Sequence, residues 1–137
     1  MKISSPLTRV KRSAAELFEL ASDCQNLAYY MPSEQVKDFS ATEDTCTFTI
    51  ENIAKVSLKI LEKAPFTYIR YAAENDKNIP LFLELKLTSV SEDETDVEVE
   101  LDIDLPIFLK PMLQTPLKRF VETLSEKIKT DAEKNKL

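Results

Sequence analysis

Hydrophobic and polar residues alternate with a period of two through the middle of the chain, between residues 35 and 105. This alternation is typical of β-strands that have one buried and one solvent-facing side. Polar turns such as 42–44 and 75–78 interrupt it. The segment 2–12 is predicted to form a first strand, with Pro6 at an edge or a bulge. Further strands are predicted over 36–41, 45–50, 55–60, 66–73, 81–87 and 96–105.

Two short helices are predicted after the first strand. The segment from Ser13 to Glu16 has the pattern of a capping box, in which the Ser13 hydroxyl accepts a hydrogen bond from the Glu16 N–H. Asp23 is placed to cap a second short helix that includes residues 27–30, and Pro32 ends it. The first helix has one apolar side, formed by Leu17, Phe18, Leu20 and Ala21.

Near the C-terminus the period changes to that of a long amphipathic helix. This helix is predicted to begin between Pro106 and Pro111 and to end near Asp131. Pro116 either kinks it or occupies its first turn, because proline lacks the N–H that a helix interior requires. Its apolar stripe is formed by Leu113, Leu117, Phe120, Val121, Leu124 and Ile128.

The order of these elements predicts an α+β fold. A curved antiparallel sheet of six to seven strands would wrap around the long C-terminal helix, with the two short helices after strand 1. Such a sheet twists and coils, so one of its faces becomes concave. A single helix cannot fill a concave face everywhere. The pattern therefore predicts either an apolar cavity between sheet and helix or, where large side chains close the space, a filled core.

Composition narrows the classes of function. The chain has 137 residues, which fits a single domain, 1–137. It contains no histidine and no glycine, which excludes the commonest general base and the glycine-rich nucleotide-binding loops. The net charge of −6 argues against a nucleic-acid partner. No catalytic residue, cofactor or metal ligand set is indicated.

The cysteines and the apolar runs indicate where the protein acts. Cys24 and Cys46 are too few for a disulfide framework and are expected to be buried thiols in a reducing compartment. The first residues lack the apolar run of a secretory signal, and no stretch approaches the ~18 apolar residues of a membrane span. We therefore expect a cytoplasmic protein without stable membrane insertion.

Several short runs carry a resemblance to a known family. They are the run from Ser13 to Phe18, then Asp23, Asn26-Leu27 and Tyr30-Met31-Pro32. Together with the strand succession and the last helix, they resemble the START and polyketide-cyclase superfamily (SRPBCC), which has the helix-grip fold, over essentially the whole chain. The chain departs from that family at Tyr30, where a tryptophan is frequent, and in its lack of hairpin glycines.

The resemblance implies binding or transport of a small hydrophobic molecule, such as a lipid, a polyketide or an isoprenoid, in a cavity between the sheet and the C-terminal helix. The helix side of that cavity would be lined by Met112, Leu113, Leu117 and Phe120. The sheet side would be lined by Phe48, Ile50, Val56, Leu58, Leu83, Leu85, Val99 and Leu101.

The strand at 66–73 leaves two orientations open, because both of its alternating sets mix apolar and polar residues. Either Tyr68 and Arg70 or Ile69 and Tyr71 face inward. An inward Arg70 would bind a carboxylate or phosphate, with Tyr68 as a hydrogen-bond donor; otherwise Arg70 joins the charged outer face opposite Glu84. Composition favours binding over catalysis. The alternative is a cyclase-like or dehydratase-like enzyme that uses Tyr68, Arg70 or Tyr71.

The segment from Leu105 to Leu113 is an apolar patch that contains two prolines. Ile107, Phe108 and Met112 are expected either to form a gate or lip over the cavity, or to pack inward in the first helical turns. A lip would contact the ligand through Phe108 and would touch a membrane or another protein transiently. A third hypothesis is therefore a protein-interaction module with a filled core.

One predicted strand carries five acidic residues on a single face. We expect a solvated ladder rather than a calcium site, because calcium usually takes its oxygens from an irregular loop. Lys55, Lys59 or Lys86 on neighbouring strands are expected to neutralise part of it. The acids are Asp96, Glu98, Glu100, Asp102 and Asp104.

Overall fold

An antiparallel sheet of eight strands and a long C-terminal helix make up most of the fold. A computed structural model describes residues 1–134. The strands are β1 (Lys2–Ser4), β2 (Thr8–Val10), β3 (Val36–Ala41), β4 (Thr45–Ile50), β5 (Ala54–Ala64), β6 (Tyr68–Asn75), β7 (Leu81–Ser91) and β8 (Glu94–Ile103). The helices are α1 (Ala14–Ala21), a 3-10 helix (Cys24–Tyr29), a 3-10 turn (Ile107–Leu109) and α2 (Lys110–Lys134).

The sheet order is β1-β8-β7-β6-β5-β4-β3, and β2 pairs with β8 beside β1. Eight strands therefore occupy seven positions, because β1 and β2 lie along the same edge of β8. The inward sides of the strands meet α1 and α2 in one hydrophobic core. The α+β class, the antiparallel sheet and the long last helix predicted from the sequence are confirmed.

The first predicted strand is interrupted, which corrects the expectation of one strand over 2–12. Pro6 lies between β1 and β2 and cannot donate a ladder hydrogen bond. Ser5 completes the ladder there: its N–H donates to the Val99 carbonyl at 2.8 Å, and its hydroxyl accepts from the Val99 N–H at 3.0 Å. The break therefore leaves the edge of β8 paired.

Both short helices begin at the capping residues read from the sequence. The Ser13 hydroxyl accepts from the Glu16 N–H at 3.1 Å, and the Asp23 carboxylate accepts from the Gln25 N–H at 2.9 Å. The second helix is a 3-10 helix rather than an α-helix. The Tyr71 hydroxyl donates to the Ala21 carbonyl at 2.6 Å and so fixes the end of α1 against the inner face of the sheet.

The sheet curves around α2. The helix packs against β1, β2 and β8 at one edge. At the opposite edge, Gln35 directly precedes β3, and its side-chain amide donates to the carbonyl of Pro116 at 3.4 Å. One helix can reach both edges only if the sheet bends toward it. Pro116 lies inside α2, so the alternative in which it begins the helix is wrong.

Turn geometry is achieved without glycine. The residues with positive φ are Asp38 (56°), Asn52 (65°), Phe66 (66°) and Asn78 (54°). Asn and Asp tolerate the left-handed region because their short polar side chains bond locally, whereas an aromatic residue is strained there. Phe66 is held against Phe18, with ring centroids 5.8 Å apart in an edge-to-face arrangement. Asn52 and Asn78 therefore take the place of glycine in two hairpin turns, and Asp38 takes it at the bulge in β3.

We predict that Asn78→Val destabilises the protein by about 1–2 kcal/mol, because a β-branched residue is strained in the left-handed region. Asn78→Gly, the matched variant, is expected to leave the free energy of unfolding within about 0.5 kcal/mol of wild type, because glycine enters that region freely. Urea unfolding of the three proteins measures the difference. Equal midpoints for the valine and glycine variants would contradict the assigned turn conformation.

Candidate functional site

Three connections of the chain meet at one end of the sheet. Turns of an antiparallel meander alternate between its two ends, so the β4–β5 turn, the β6–β7 turn and the segment between β8 and α2 share an end. The first two turns are polar except for Ile53 and Ile79. These apolar residues point to a shared apolar site, because side chains in solvated turns are usually polar.

A pocket of about 380 Å³ lies between these connections and the N-terminal part of α2. Its volume falls within the roughly 300–1,000 Å³ typical of ligand sites. The wall is mainly aliphatic, and its polar groups are Asn52, Asn75 and Lys77. The apolar wall is formed by Ile50, Ile53, Ala54, Val56, Ile79, Leu81, Ile103, Pro106, Leu109, Met112, Leu113 and Leu117.

A layer of buried side chains closes the inner end of the pocket. On each element they are the next inward-facing residues, farther from the open end than those that line the pocket. On β4, Phe48 is the inward-facing neighbour of Ile50, and on α2, Phe120 lies one turn beyond Leu117. At 2–4% exposure the layer excludes water. Its members are Phe48, Leu58, Leu101 and Phe120.

Behind this layer lies a second, much smaller void of about 30 Å³. It is enclosed by apolar side chains of α1, β7, β8 and the C-terminal half of α2. A dry apolar void of this size holds a water molecule at most. The space between sheet and helix is therefore divided into an open pocket at one end and a nearly filled core at the other.

The sequence-predicted ligand residues separate into groups. Ile50, Val56, Met112, Leu113 and Leu117 line the open pocket. Tyr71, Leu83, Leu85 and Val99 line the inner void. Phe48, Leu58, Leu101 and Phe120 belong to the buried layer and line neither space. Phe108 lines neither space either, which corrects its assignment as a ligand residue.

Tyr68 and Arg70 do not reach the cavity, which corrects that part of the expectation. Ile69 and Tyr71 take the inward positions of β6 instead. On the outer face, Nη1 of Arg70 pairs with Oε2 of Glu84 at 2.8 Å, and the Tyr68 hydroxyl donates to the same carboxylate. Arg70 also lies 4.0 Å above the Phe82 ring. These groups satisfy one another rather than a ligand in the pocket.

The Tyr71 hydroxyl is not available to a ligand either. It is buried and donates to the Ala21 carbonyl, and burial raises the pKa of Tyr71 well above its ordinary value. Cys24 and Cys46 are free buried thiols. The hydrogen bond with Cys24 and burial both raise the pKa of Cys46, so this thiol stays protonated and unreactive.

Lys86 neutralises part of the acidic face of β8, as expected, but Glu100 is buried rather than solvated. Lys86 contacts Glu100 at 2.8 Å and Glu98 at 3.6 Å, and Lys2 contacts Glu100 at 3.4 Å. Burial by itself would raise the pKa of Glu100, but these ammonium groups outweigh it and hold that pKa below its ordinary value. Lys55 and Lys59 lie on β5, which β6 and β7 separate from β8, so neither neutralises this ladder.

The apolar patch before α2 stays largely exposed. The exposed fractions are 83% for Ile107, 78% for Phe108 and 68% for Met112. The alternative in which these side chains pack inward is therefore wrong for all three. Met112 also lines the pocket, so the patch is continuous with the pocket mouth. We call Ile107, Phe108 and Met112 the lip.

The pocket residues that the sequence reasoning missed lie in turns and at strand ends. They are Asn52, Ile53, Ala54, Asn75, Lys77, Ile79, Leu81, Ile103, Pro106 and Leu109. Ile53 and Ile79 could have been recognised from the sequence, because they are isolated apolar residues in polar turns. Among the described residues, no cluster of histidine, cysteine, aspartate or glutamate is arranged to hold a metal ion. No helix within 1–134 is long and apolar enough to cross a membrane.

No family model and no curated protein sequence matches the chain. Solved structures do match it over nearly their whole length. A START superfamily protein from Mycobacterium smegmatis is 15% identical, with a TM-score of 0.75 and coverage of 98% of this chain and 99% of that one. The Zhui aromatase/cyclase from Streptomyces sp. R1128 is 13% identical, with a TM-score of 0.79 and coverage of 98% and 94%.

A third match is the Aha1 dimer from Colwellia psychrerythraea, at 16% identity and a TM-score of 0.66, with coverage of 98% of this chain and 99% of that one. At these identities the similarity shows the fold. The chain therefore has the helix-grip fold of START and polyketide-cyclase proteins, as the resemblance implied.

We predict that Val99→Ile stabilises the protein by about 0.8 kcal/mol, because the added methylene enters the inner void. Val97→Ile is the matched control. Val97 is fully buried on the same strand but lines no void. Its extra methylene is expected to destabilise the protein by about 1–3 kcal/mol through overpacking. Thermal and urea unfolding measure both. A loss of stability in Val99→Ile would show that the inner void is already filled.

Proposed function

We propose that the protein binds a small, largely apolar molecule in the pocket of about 380 Å³ below the start of α2. This pocket is the single observation that carries the proposal. The class of ligand named by the resemblance, a lipid, polyketide or isoprenoid, suits its aliphatic wall. The proposal further treats 1–137 as one domain acting in the cytoplasm, where the free thiols of Cys24 and Cys46 would persist.

The chemistry of the pocket favours binding over catalysis. Its polar groups are two asparagines and one lysine. The cyclase-like alternative uses Tyr68, Arg70 or Tyr71. Tyr68 and Arg70 are engaged with Glu84 on the outer face, and the Tyr71 hydroxyl donates to the Ala21 carbonyl. General acid–base catalysis needs a titratable group within hydrogen-bond reach of the reacting atoms, and Lys77 at the rim is the one titratable side chain among the described residues of the wall. The similarity to the aromatase/cyclase therefore supports the fold that surrounds the pocket. We do not propose the reaction of that enzyme for this protein.

Burial alone supplies a modest affinity. Covering about 300 Å² of apolar ligand surface at about 25 cal/mol per Å² contributes about 7 kcal/mol. Association costs several kcal/mol of translational and rotational freedom, which leaves weak binding unless a polar contact adds to it. A carrier needs reversible binding, so this magnitude suits uptake and release.

Two prolines lie near the start of α2. Pro111 lies in its first turn, and Pro116 removes the helical hydrogen bond to the Met112 carbonyl. The pocket residues Met112 and Leu113 lie between these two prolines. Local opening is easiest where backbone hydrogen bonds and buried contacts are few. We propose that the segment from Ile107 to Thr115 moves as a gate.

The lip offers a route for a poorly water-soluble ligand. We propose that Ile107, Phe108 and Met112 contact a membrane surface transiently during ligand exchange. The support is their exposure of 68–83% and the continuity of Met112 with the pocket. Apolar side chains at a water–lipid boundary gain free energy from partial burial in the bilayer interface. Contact with another protein is the competing outcome.

We predict that Leu113→Trp blocks the pocket and abolishes ligand binding. Leu113 is half-buried in the wall, so the larger ring can occupy the pocket without entering the core. Native mass spectrometry of freshly purified protein, followed by organic extraction, identifies any bound molecule in wild type and its loss in the variant. Leu61→Trp is the matched control, because Leu61 is 57% exposed on β5 and lines no pocket wall.

Retention of the extracted molecule in Leu113→Trp would place its site elsewhere. If wild type carries nothing and binds no apolar probe in titration, the binding function itself is overturned, and the interaction-module alternative takes its place.

We predict that Ile107→Ser/Phe108→Ser weakens association with vesicles of phosphatidylcholine and phosphatidylserine at least severalfold, because each serine removes apolar surface from the bilayer interface. Pocket binding of a soluble probe should remain. The control is Leu7→Ser/Leu61→Ser, which removes two leucines exposed by 65% and 57% elsewhere. Vesicle co-sedimentation is the measurement. Equal sedimentation of both variants and wild type would contradict the membrane role and favour a protein partner.

A further inference from the structure

The pocket has one charged wall residue. Among the described residues that line it, Lys77 alone carries a charge. It lies in the β6–β7 turn and is exposed, which places it at the rim of the pocket. A lysine at such a rim keeps its ammonium group in water while its stem follows apolar surface. The rim therefore presents a positive charge beside a wall that is otherwise aliphatic.

Asn75 holds the position of Lys77. Its side-chain oxygen accepts from the N–H groups of Lys77 at 3.2 Å and Ile79 at 3.1 Å. Its side-chain nitrogen donates to the carbonyls of Ile79 at 2.7 Å and Ala73 at 3.2 Å. The Asn75 amide is thus fully engaged in shaping the turn. It positions Lys77 and leaves Lys77 and Asn52 as the polar groups that a ligand can meet.

The acidic residues around Lys77 lie off the pocket wall, and the nearest on β6, Glu74, is exposed. The Asp76 carboxylate accepts from the Lys55 N–H at 3.1 Å, and Glu51, next to Asn52, pairs with Lys37 at 3.1 Å. Asp104, at the end of β8, is exposed and does not line the pocket. Lys77 forms no ion pair with any described residue. Its charge is available to a molecule in the pocket.

α2 adds to this positive potential. Met112 and Leu113 lie in its first turn and line the same pocket. The N-terminus of a helix carries a partial positive charge that favours nearby anions. By itself this effect is small, but it has the same sign as the charge of Lys77. Lys77 and the start of α2 each favour a nearby anion, although the whole chain has a net charge of −6.

We propose that the ligand is an amphipathic carboxylate, whose apolar body fills the pocket and whose carboxylate stays at the rim on the Lys77 ammonium, with the Asn52 amide as a second donor. This inference rests on the proposed function and names the ligand class of the same site. The buried layer of Phe48, Leu58, Leu101 and Phe120 limits how far the apolar body can enter. The ligand is therefore short, with its charged end outward.

The test compares decanoate with decanol, which share an apolar chain and differ in the charged head group. Isothermal titration calorimetry of wild type is expected to give about three- to fivefold tighter binding of decanoate, the range of a solvent-exposed ion pair. High salt should reduce this preference by screening. Lys77→Gln should bind both probes alike, and Lys77→Arg should restore the preference. Lys59→Gln, the matched charge control on the outer face of β5, should behave as wild type.

Equal binding of decanoate and decanol by wild type overturns this inference and leaves the pocket function intact. A preference for decanoate that survives Lys77→Gln also overturns it. If neither decanoate nor decanol binds to wild type or to Leu113→Trp, the proposed function fails and this inference fails with it.

Discussion

The apolar inner face of the sheet has to be covered by α2 and the short helices, and this burial decides where the other elements lie. The helix packs along β1, β2 and β8, so the far strands reach it only because the sheet curves. Curvature leaves unequal space along the helix. At the end near α1, Tyr71, Leu83, Val99 and Leu124 almost close that space. At the other end the turns spread apart, and a pocket of about 380 Å³ remains.

The open end combines the features that reduce local stability. Pro116 removes one helical hydrogen bond near the start of α2, and Ile107 and Phe108 remain in water. Contiguous exposed apolar side chains are unfavourable in water, and such patches usually contact a ligand, a membrane or another protein. The same segment forms a wall of the pocket. The wall of the pocket and the exposed apolar residues before it therefore belong to one proline-containing segment.

The outer face of the sheet meets a different constraint. Glu84 and Glu100 are only 5% and 4% exposed, although they lie on the face away from the core. Each is surrounded by cations: Arg70 pairs with Glu84, and Lys2 and Lys86 pair with Glu100. Removing one partner would leave a charge with little water around it. Tyr68 and Arg70 are thus explained by the stability of this face, and the ligand site is composed almost entirely of aliphatic residues.

The sequence by itself determined the elements, their caps, the α+β class and the resemblance to the helix-grip fold, because period-two alternation, the capping residues Ser13 and Asp23 and the last apolar stripe are local properties. It also indicated Ile50, Val56, Leu113 and Leu117 as wall residues, since each lies on an inward face. Only the tertiary structure decided which way β6 faces, where the cavity is open and which turns border it. Alternation does not distinguish two mixed faces, and Lys77 and Met112, which are distant in the chain, line one pocket only through the tertiary fold.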